Sequence, residues 1–172
     1  MLCRPFLLVL AVLAAIPAQL STASAKDDSW QTYANPRFGT IADYPAAIFT
    51  RPEPPPENGD GQTFTGKDGT AKLSIYGSFN SGDHTPRSYV DALIRPRDAI
   101  AYEHITKNAF AVSGQRGETI WYQRCNFQGG DPDTIHCFVL EYPARQKQQW
   151  DPIVARIAKS LRAGRVRYES PK

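Results

Sequence analysis

Between residues 70 and 79 apolar and polar side chains alternate. Ala71, Leu73, Ile75, Gly77 and Phe79 fall on one side of the run, and Lys72, Ser74, Tyr76 and Ser78 on the other. A period of two is that of a strand with one face on a core. Similar runs cover 37–44, 62–65, 99–106, 109–113, 118–127 and 135–142. Asp68-Gly69 between two of them is a hairpin turn signal. Two segments change to a helical period. In 85–94, Thr85-Pro86 reads as an N-cap followed by proline at the first helical position. Tyr89, Val90, Leu93 and Ile94 follow at helical spacing, and the helix ends before Arg95-Pro96. In 150–161, Ile153, Val154, Ile157, Ala158 and Leu161 form one apolar stripe. Arg156, Lys159 and Arg162 point outward, and Gly164 is the expected C-cap.

These elements predict an α+β domain: a single antiparallel sheet of about six or seven strands, packed by a C-terminal helix and a short middle helix. The domain spans 37–164. Residues 26–36 read as a polar lead-in, ordered if Trp30 and Tyr33 dock, and 165–172 as a charged tail. Residues 46–49 read as a brief continuation of the first strand. Residues 51–61 contain Pro52, Pro54, Pro55 and Pro56, then Asn58-Gly59-Asp60-Gly61. That composition predicts a stiff, exposed polyproline-II stretch ending in a turn.

The runs 118–127 and 135–142 flank a Gly-Gly-Asp-Pro-Asp turn, and each carries one cysteine, Cys125 and Cys137. Pairing these across a hairpin sets the register. Trp121 then opposes Glu141, Gln123 opposes Val139, Tyr122 opposes Leu140 and Asn126 opposes His136. Both faces are rich in apolar residues, which places the hairpin in the middle of the sheet. Opposed strand residues lie within disulfide reach. The eleven residues between the cysteines are not a Cys-x-x-Cys redox spacing, and His136 points away from its neighbour Cys137. The pair reads as a structural disulfide.

The N-terminus explains how a disulfide persists. Arg4 precedes an apolar run over 6–16, Pro17 interrupts it, and Ala23-Ser24-Ala25 matches a signal-peptidase site. The run is shorter than a membrane span. Residues 1–25 are expected to be a signal peptide. Its removal from the 172-residue chain takes Cys3 away and leaves an even number of cysteines for the periplasm or exterior. The net charge of +3 drops by one with Arg4, too close to neutral for a nucleic-acid binder. The charge is uneven, with basic residues concentrated from Arg145 onward.

Candidate chemistry is thin. On an EF-hand template, Asn58 and Asp60 would take the third and fifth positions. The first would be Pro56 and the twelfth Lys67, so the stretch reads as a turn. Asp131 and Asp133 fit a polar hairpin tip. His84, His104 and His136 show no metal-ligand spacing, and Val112-Ser113-Gly114 leads into a turn rather than a nucleophile elbow. No catalytic residue, cofactor or metal is assigned.

The landmarks Arg37-Phe38-Gly39, Tyr44-Pro45, Asn58-Gly59-Asp60-Gly61, Asp68-Gly69, Tyr76-Gly77, Val112-Ser113-Gly114, Tyr142-Pro143 and Ile153-Val154 with Ile157-Ala158 resemble small exported alphaproteobacterial proteins of unassigned function. More distantly, the order of elements resembles the PsbP-like α/β/α sandwich. That resemblance implies a non-catalytic accessory factor of a larger assembly and carries over no binding residue. The expectation is therefore an exported, non-catalytic binding or accessory protein whose ligand the sequence does not name. Its candidate interaction surface is Asn58 and Asp60 on the proline-rich loop with Arg156, Lys159 and Arg162 on the closing helix. The alternatives are an envelope hydrolase assembled from His84 or His104 and a nearby aspartate, and an electrostatic binder of an anionic envelope surface.

Overall fold

The computed structural model describes residues 29–128 and 133–164. The expected signal peptide, Cys3, Asp131 and residues 165–172 lie outside the described residues. Among the described residues ten strands and two α-helices follow one another. They are β1 (Trp30–Ala34), β2 (Thr40–Pro45), β3 (Arg51–Pro52), β4 (Gly61–Thr65), β5 (Lys72–Phe79), α1 (Pro86–Tyr89), β6 (Tyr102–Ile105), β7 (Ala109–Arg116), β8 (Thr119–Phe127), β9 (Thr134–Pro143), α2 (Lys147–Ser160) and β10 (Arg162–Ala163). A π-helical turn, Val90–Ile94, continues α1. Thr85 caps α1 in a capping box with Ser88, and Pro86 holds the first helical position, as the sequence predicts.

Seven strands form an antiparallel sheet in the order β3-β4-β5-β9-β8-β7-β6. The β8–β9 register pairs Cys125 with Cys137, Trp121 with Glu141 and Tyr122 with Leu140. The hairpin is interior, and its cysteines are bonded with Cα atoms 4.2 Å apart.

The two faces of this sheet bury different layers. On one, Val90 and Ile94 of the α1 segment pack with Phe110, Val112, Trp121 and the disulfide. On the other, Trp150, Val154, Ile157 and Leu161 of α2 pack with Leu73, Ile75, Phe138, Leu140 and Tyr142. Val90 and Ile94, four residues apart on this turn, lie on the same sheet face, where both are buried.

Several expectations need correction. The main sheet is not the only one: β1, β2 and β10 form a second, three-stranded sheet. Residues 30–34 of the polar lead-in are therefore a strand. Trp30 and Tyr33 dock against the α2-side core, and β1 pairs with β2 along its whole length. Residues 46–49 turn rather than extend, and Phe49 is buried against Trp150 with ring centroids 5.9 Å apart. Gly164 does not cap α2. The helix ends at Ser160, Leu161 turns extended, and Arg162–Ala163 pair with β2 before Gly164 N donates to Gly39 O at 2.6 Å. Arg162 is thus a strand residue. The reason is Leu161, buried at the end of the apolar stripe, which pulls the chain off the helix axis.

The loop that leads into β2 presses directly on β5 at Gly77. A Cβ there would lie 2.5 Å from Thr40 Oγ1 and closer still to Phe38. Only glycine permits that approach.

Candidate functional site

α2 covers only half of its sheet face. One row of opposed residues runs across that face, from Leu140 on β9 through Tyr122 on β8 and Ser113 on β7 to Tyr102 on β6. Leu140 is fully buried beneath the helix, Tyr122 is partly buried, and Tyr102 at the sheet edge is 51% exposed. Where the helix stops and the sheet continues there is a groove of about 550 Å³. Tyr102, Tyr122 and Tyr142 line it with Ile120, Val154 and Ala155. Ser113 and Gly114 also line it, and the small Ser113 side chain keeps the slot between Tyr102 and Tyr122 open.

The walls are held by packing. Tyr122 stacks on Phe138 with ring centroids 5.5 Å apart and planes 25° apart, and Tyr142 stacks on Trp150 at 5.3 Å and 21°. At the rim, Lys147 Nζ donates to both Asp151 carboxylate oxygens at 2.8 and 2.9 Å, an i,i+4 pair exposed on both sides. Burial raises the Tyr122 hydroxyl above its ordinary pKa, with the Arg124 guanidinium acting the other way. Burial, then the Asp151 charge, pushes Tyr142 up to about 12. Both rings are therefore neutral near pH 7, offering hydrogen-bonding hydroxyls and no phenolate nucleophile. Arg124 Nε is buried beside Tyr122 without a hydrogen-bond partner.

The residues singled out from sequence lie elsewhere. Asn58 and Asp60 are joined to each other, Asn58 Nδ2 donating to Asp60 Oδ2 at 2.8 Å. Their turn is fastened to the body: Arg37 donates to Asn58 O, Asn35 Nδ2 donates to Gly59 O at 2.9 Å, and Gly77 N donates to Asp60 O at 2.9 Å. Gly59 takes a positive φ of 63°, the turn conformation its composition predicts. The polyproline stretch is shorter than expected, because Arg51 and Pro52 form β3 against β4. On α2, the Arg156 guanidinium lies 4.0 Å from the Trp30 ring centroid, so it also serves to pack β1. Lys159 is exposed, and Arg162 on β10 donates to Ser160 O at 2.9 Å.

The structure separates the histidines. His136 is 1% exposed; its Nδ1 lies 2.8 Å from Thr40 Oγ1 and its Nε2 2.9 Å from Gln128 Oε1. Desolvation lowers its pKa, so it is neutral near pH 7. His84 Nδ1 lies 3.3 Å from Ser88 Oγ, and His104 is exposed on β6. None of the three lines the groove. Among the described residues no group of three or more His, Cys, Asp or Glu side chains is placed to hold a metal ion.

The groove was not foreseen from sequence. Its walls come from four separate stretches of chain, and no local spacing marks them. The hairpin register placed Tyr122 opposite Leu140, but nothing in the sequence says that α2 stops short of β8.

No family model matches the chain, and no curated protein does. Among solved structures, the chain is similar to the solution structure of cyanobacterial PsbP (CyanoP) from Synechocystis sp. PCC 6803. The two superpose with a TM-score of 0.52 over 83% of this chain and 97% of that one, at 14% sequence identity. The fold is thus PsbP-like, with helices on both faces of an antiparallel sheet.

Proposed function

We propose that this chain is an exported, non-catalytic accessory module that holds a polypeptide partner in the groove beside α2. The observation that carries this reading is the half-covered sheet face. Two tyrosines are fixed by stacking along its covered edge, and a third stands exposed at the open edge. Tyrosines supply large, rigid contact area with a polar tip, the chemistry of protein-binding surfaces. The PsbP-like fold supports an accessory role, because the resemblance implies one. Export to the periplasm or exterior is supported by the sequence of residues 1–25 and by the bonded cysteine pair. A hydrolytic reading has less support: Asp151 at the groove is engaged by Lys147, and the histidines lie outside it.

Site-specific photo-crosslinking in the producing cell tests the reading. A crosslinker is placed in turn at Tyr102 on the groove, at Asn58 on the proline-rich loop and at Lys159 on the basic face. A discrete adduct from position 102 in the periplasmic or extracellular fraction is expected. Adducts only from position 159, weakened by salt, would instead support binding to an anionic surface. Adducts from neither position 102 nor a neighbouring groove position would overturn the proposal.

A further inference from the structure

The identity of the groove's occupant is legible from its spacing. We propose that the groove takes a polyproline-II segment, and that the segment is residues 52–57 of a second copy of this chain. The inference rests on the groove being a polypeptide site.

Tyr102 and Tyr122 stand two strands apart with Ser113 between them. Two inter-strand spacings are roughly 9.5 Å. One turn of a polyproline-II helix is three residues, or about 9 Å. Residues three apart on such a helix therefore meet the two rings in step. An α-helix repeats every 5.4 Å and does not match that spacing. The slot between the rings is floored by Ser113, whose small side chain leaves room for a pyrrolidine ring to enter. Aromatic-lined grooves of this sort recognise proline-rich peptides, whose preformed shape lowers the ordering cost of binding.

The chain carries a segment of that kind on its own surface. Pro52 is held in β3, and Glu53 N donates to Thr63 O at 2.8 Å. Pro54, Pro55, Pro56 and Glu57 then stand exposed until the turn at Gly59 closes the loop. The charge fits as well. Glu57 is an exposed acid with proline before it. Lys147 at the groove rim is held only by an ion pair exposed on both sides, with 59% and 51% of the two side chains accessible. A pair so exposed contributes little and is readily exchanged for an incoming carboxylate.

Geometry decides that the partner is a second molecule. β3 is one edge of the seven-stranded sheet and β6 is the other. The proline segment leaves from the first edge and the groove opens at the second, so a chain cannot fill its own groove. Two different patches meet, and the contact is head to tail. Such contacts propagate into rings or open rows rather than closing as a two-fold dimer.

The test uses the mature, disulfide-bonded protein and a fluorescent peptide of residues 51–58. Fluorescence anisotropy is expected to show saturable binding. Alanine at Pro54, Pro55 and Pro56 of the peptide should abolish it. Tyr102→Ser in the protein should weaken it by about tenfold, the loss of one aromatic anchor, with near-UV circular dichroism unchanged. Sedimentation velocity of the whole protein should show mass rising with concentration. Either Tyr102→Ser or a Pro54→Ala, Pro55→Ala, Pro56→Ala variant should remain monomeric alone. Mixing the two should give a dimer and nothing larger, because one supplies only the segment and the other only the groove. Association that survives both variants, or a peptide that does not bind, would overturn the inference. In the second case a crosslinked partner at position 102 would leave the groove's binding role standing with a different occupant.

Discussion

Thr40 Oγ1 and His136 Nδ1 lie 2.8 Å apart, and both residues are buried, at 0% and 1% exposure. Thr40 belongs to the small sheet and His136 to the centre of the large one, so this hydrogen bond joins the two. Gln128 presents Oε1 to His136 Nε2 at 2.9 Å, which places the ring proton on Nε2. Nδ1 then accepts from the Thr40 hydroxyl. The neutral imidazole is satisfied at both nitrogens. An imidazolium would reverse the Thr40 bond, its Nδ1–H donating to a hydroxyl that must turn.

That arrangement gives the fold a pH dependence. Burial holds the folded-state pKa of His136 below its ordinary value near 6.5. As pH falls through that value, the unfolded chain takes up a proton that the folded chain refuses. Stability is therefore full above about pH 6.5 and declines below it, until the folded histidine also titrates. Urea midpoints measured from pH 8 to pH 5 should fall over this window by at most one proton's slope. His136→Gln, which keeps a donor and an acceptor, should lower stability throughout but flatten that slope. An equal slope in both proteins would show that other groups carry it.

The same junction predicts an intolerance to added volume. Gly77 is paired with His136 across β5 and β9, and an added methyl would meet Thr40 Oγ1 and Phe38. Gly77→Ala should cost roughly 1–3 kcal/mol through overpacking, read from chemical denaturation. A serine at exposed Tyr102 should stay within about 0.5 kcal/mol of the parent. A neutral Gly77→Ala would mean that the small sheet shifts freely on the large one.

What could be read from the chain and what could not divide along physical lines. The Cys125–Cys137 pairing carried a whole register, because a strand's period of two leaves one alignment once a pair is fixed. The α2 stripe and the Thr85-Pro86 start were legible for the same reason: each is a local period or cap. β1 was not, because Trp30–Ala34 is exposed at Gln31, Thr32 and Ala34 and pairs at the rim of a small sheet; only Trp30 and Tyr33 hinted that it docks. β10 is two residues long and exists because β2 offers an open edge to the chain leaving Leu161. The fastening of the 58–60 turn by Arg37, Asn35 and Gly77, like the groove itself, depends on which stretches meet in space. No window of sequence contains that.

The disulfide makes a separate prediction. It closes a short loop, with the cysteines 12 residues apart, inside the hairpin at the centre of the sheet. Removing it should cost about 3 kcal/mol by loop-closure entropy. Cys125→Ala with Cys137→Ala is the suitable variant, since both positions are fully buried among apolar side chains. Denaturant unfolding of the parent should shift to lower midpoint when a reductant is added, whereas the double variant should be indifferent to it. A parent that does not respond to complete reduction would show that the strands hold the register unaided.

Arg156 tests whether the basic helix face is a packing device or a free surface. Its guanidinium sits 4.0 Å from the Trp30 centroid, bridging α2 and β1. The contact lies at a partly solvated site, where cation–π pairs contribute about 0.5–1 kcal/mol. A double-mutant cycle isolates it from the other interactions of Arg156. Trp30→Leu and Arg156→Met should each destabilise, and together by less than the sum, with a coupling near that magnitude. Lys159→Met, one turn further along α2, should leave stability unchanged and show no coupling to Trp30→Leu. A coupling of zero at Arg156 would return it to the exposed basic face, beside Lys159 and Arg162, as a group available to an anionic partner.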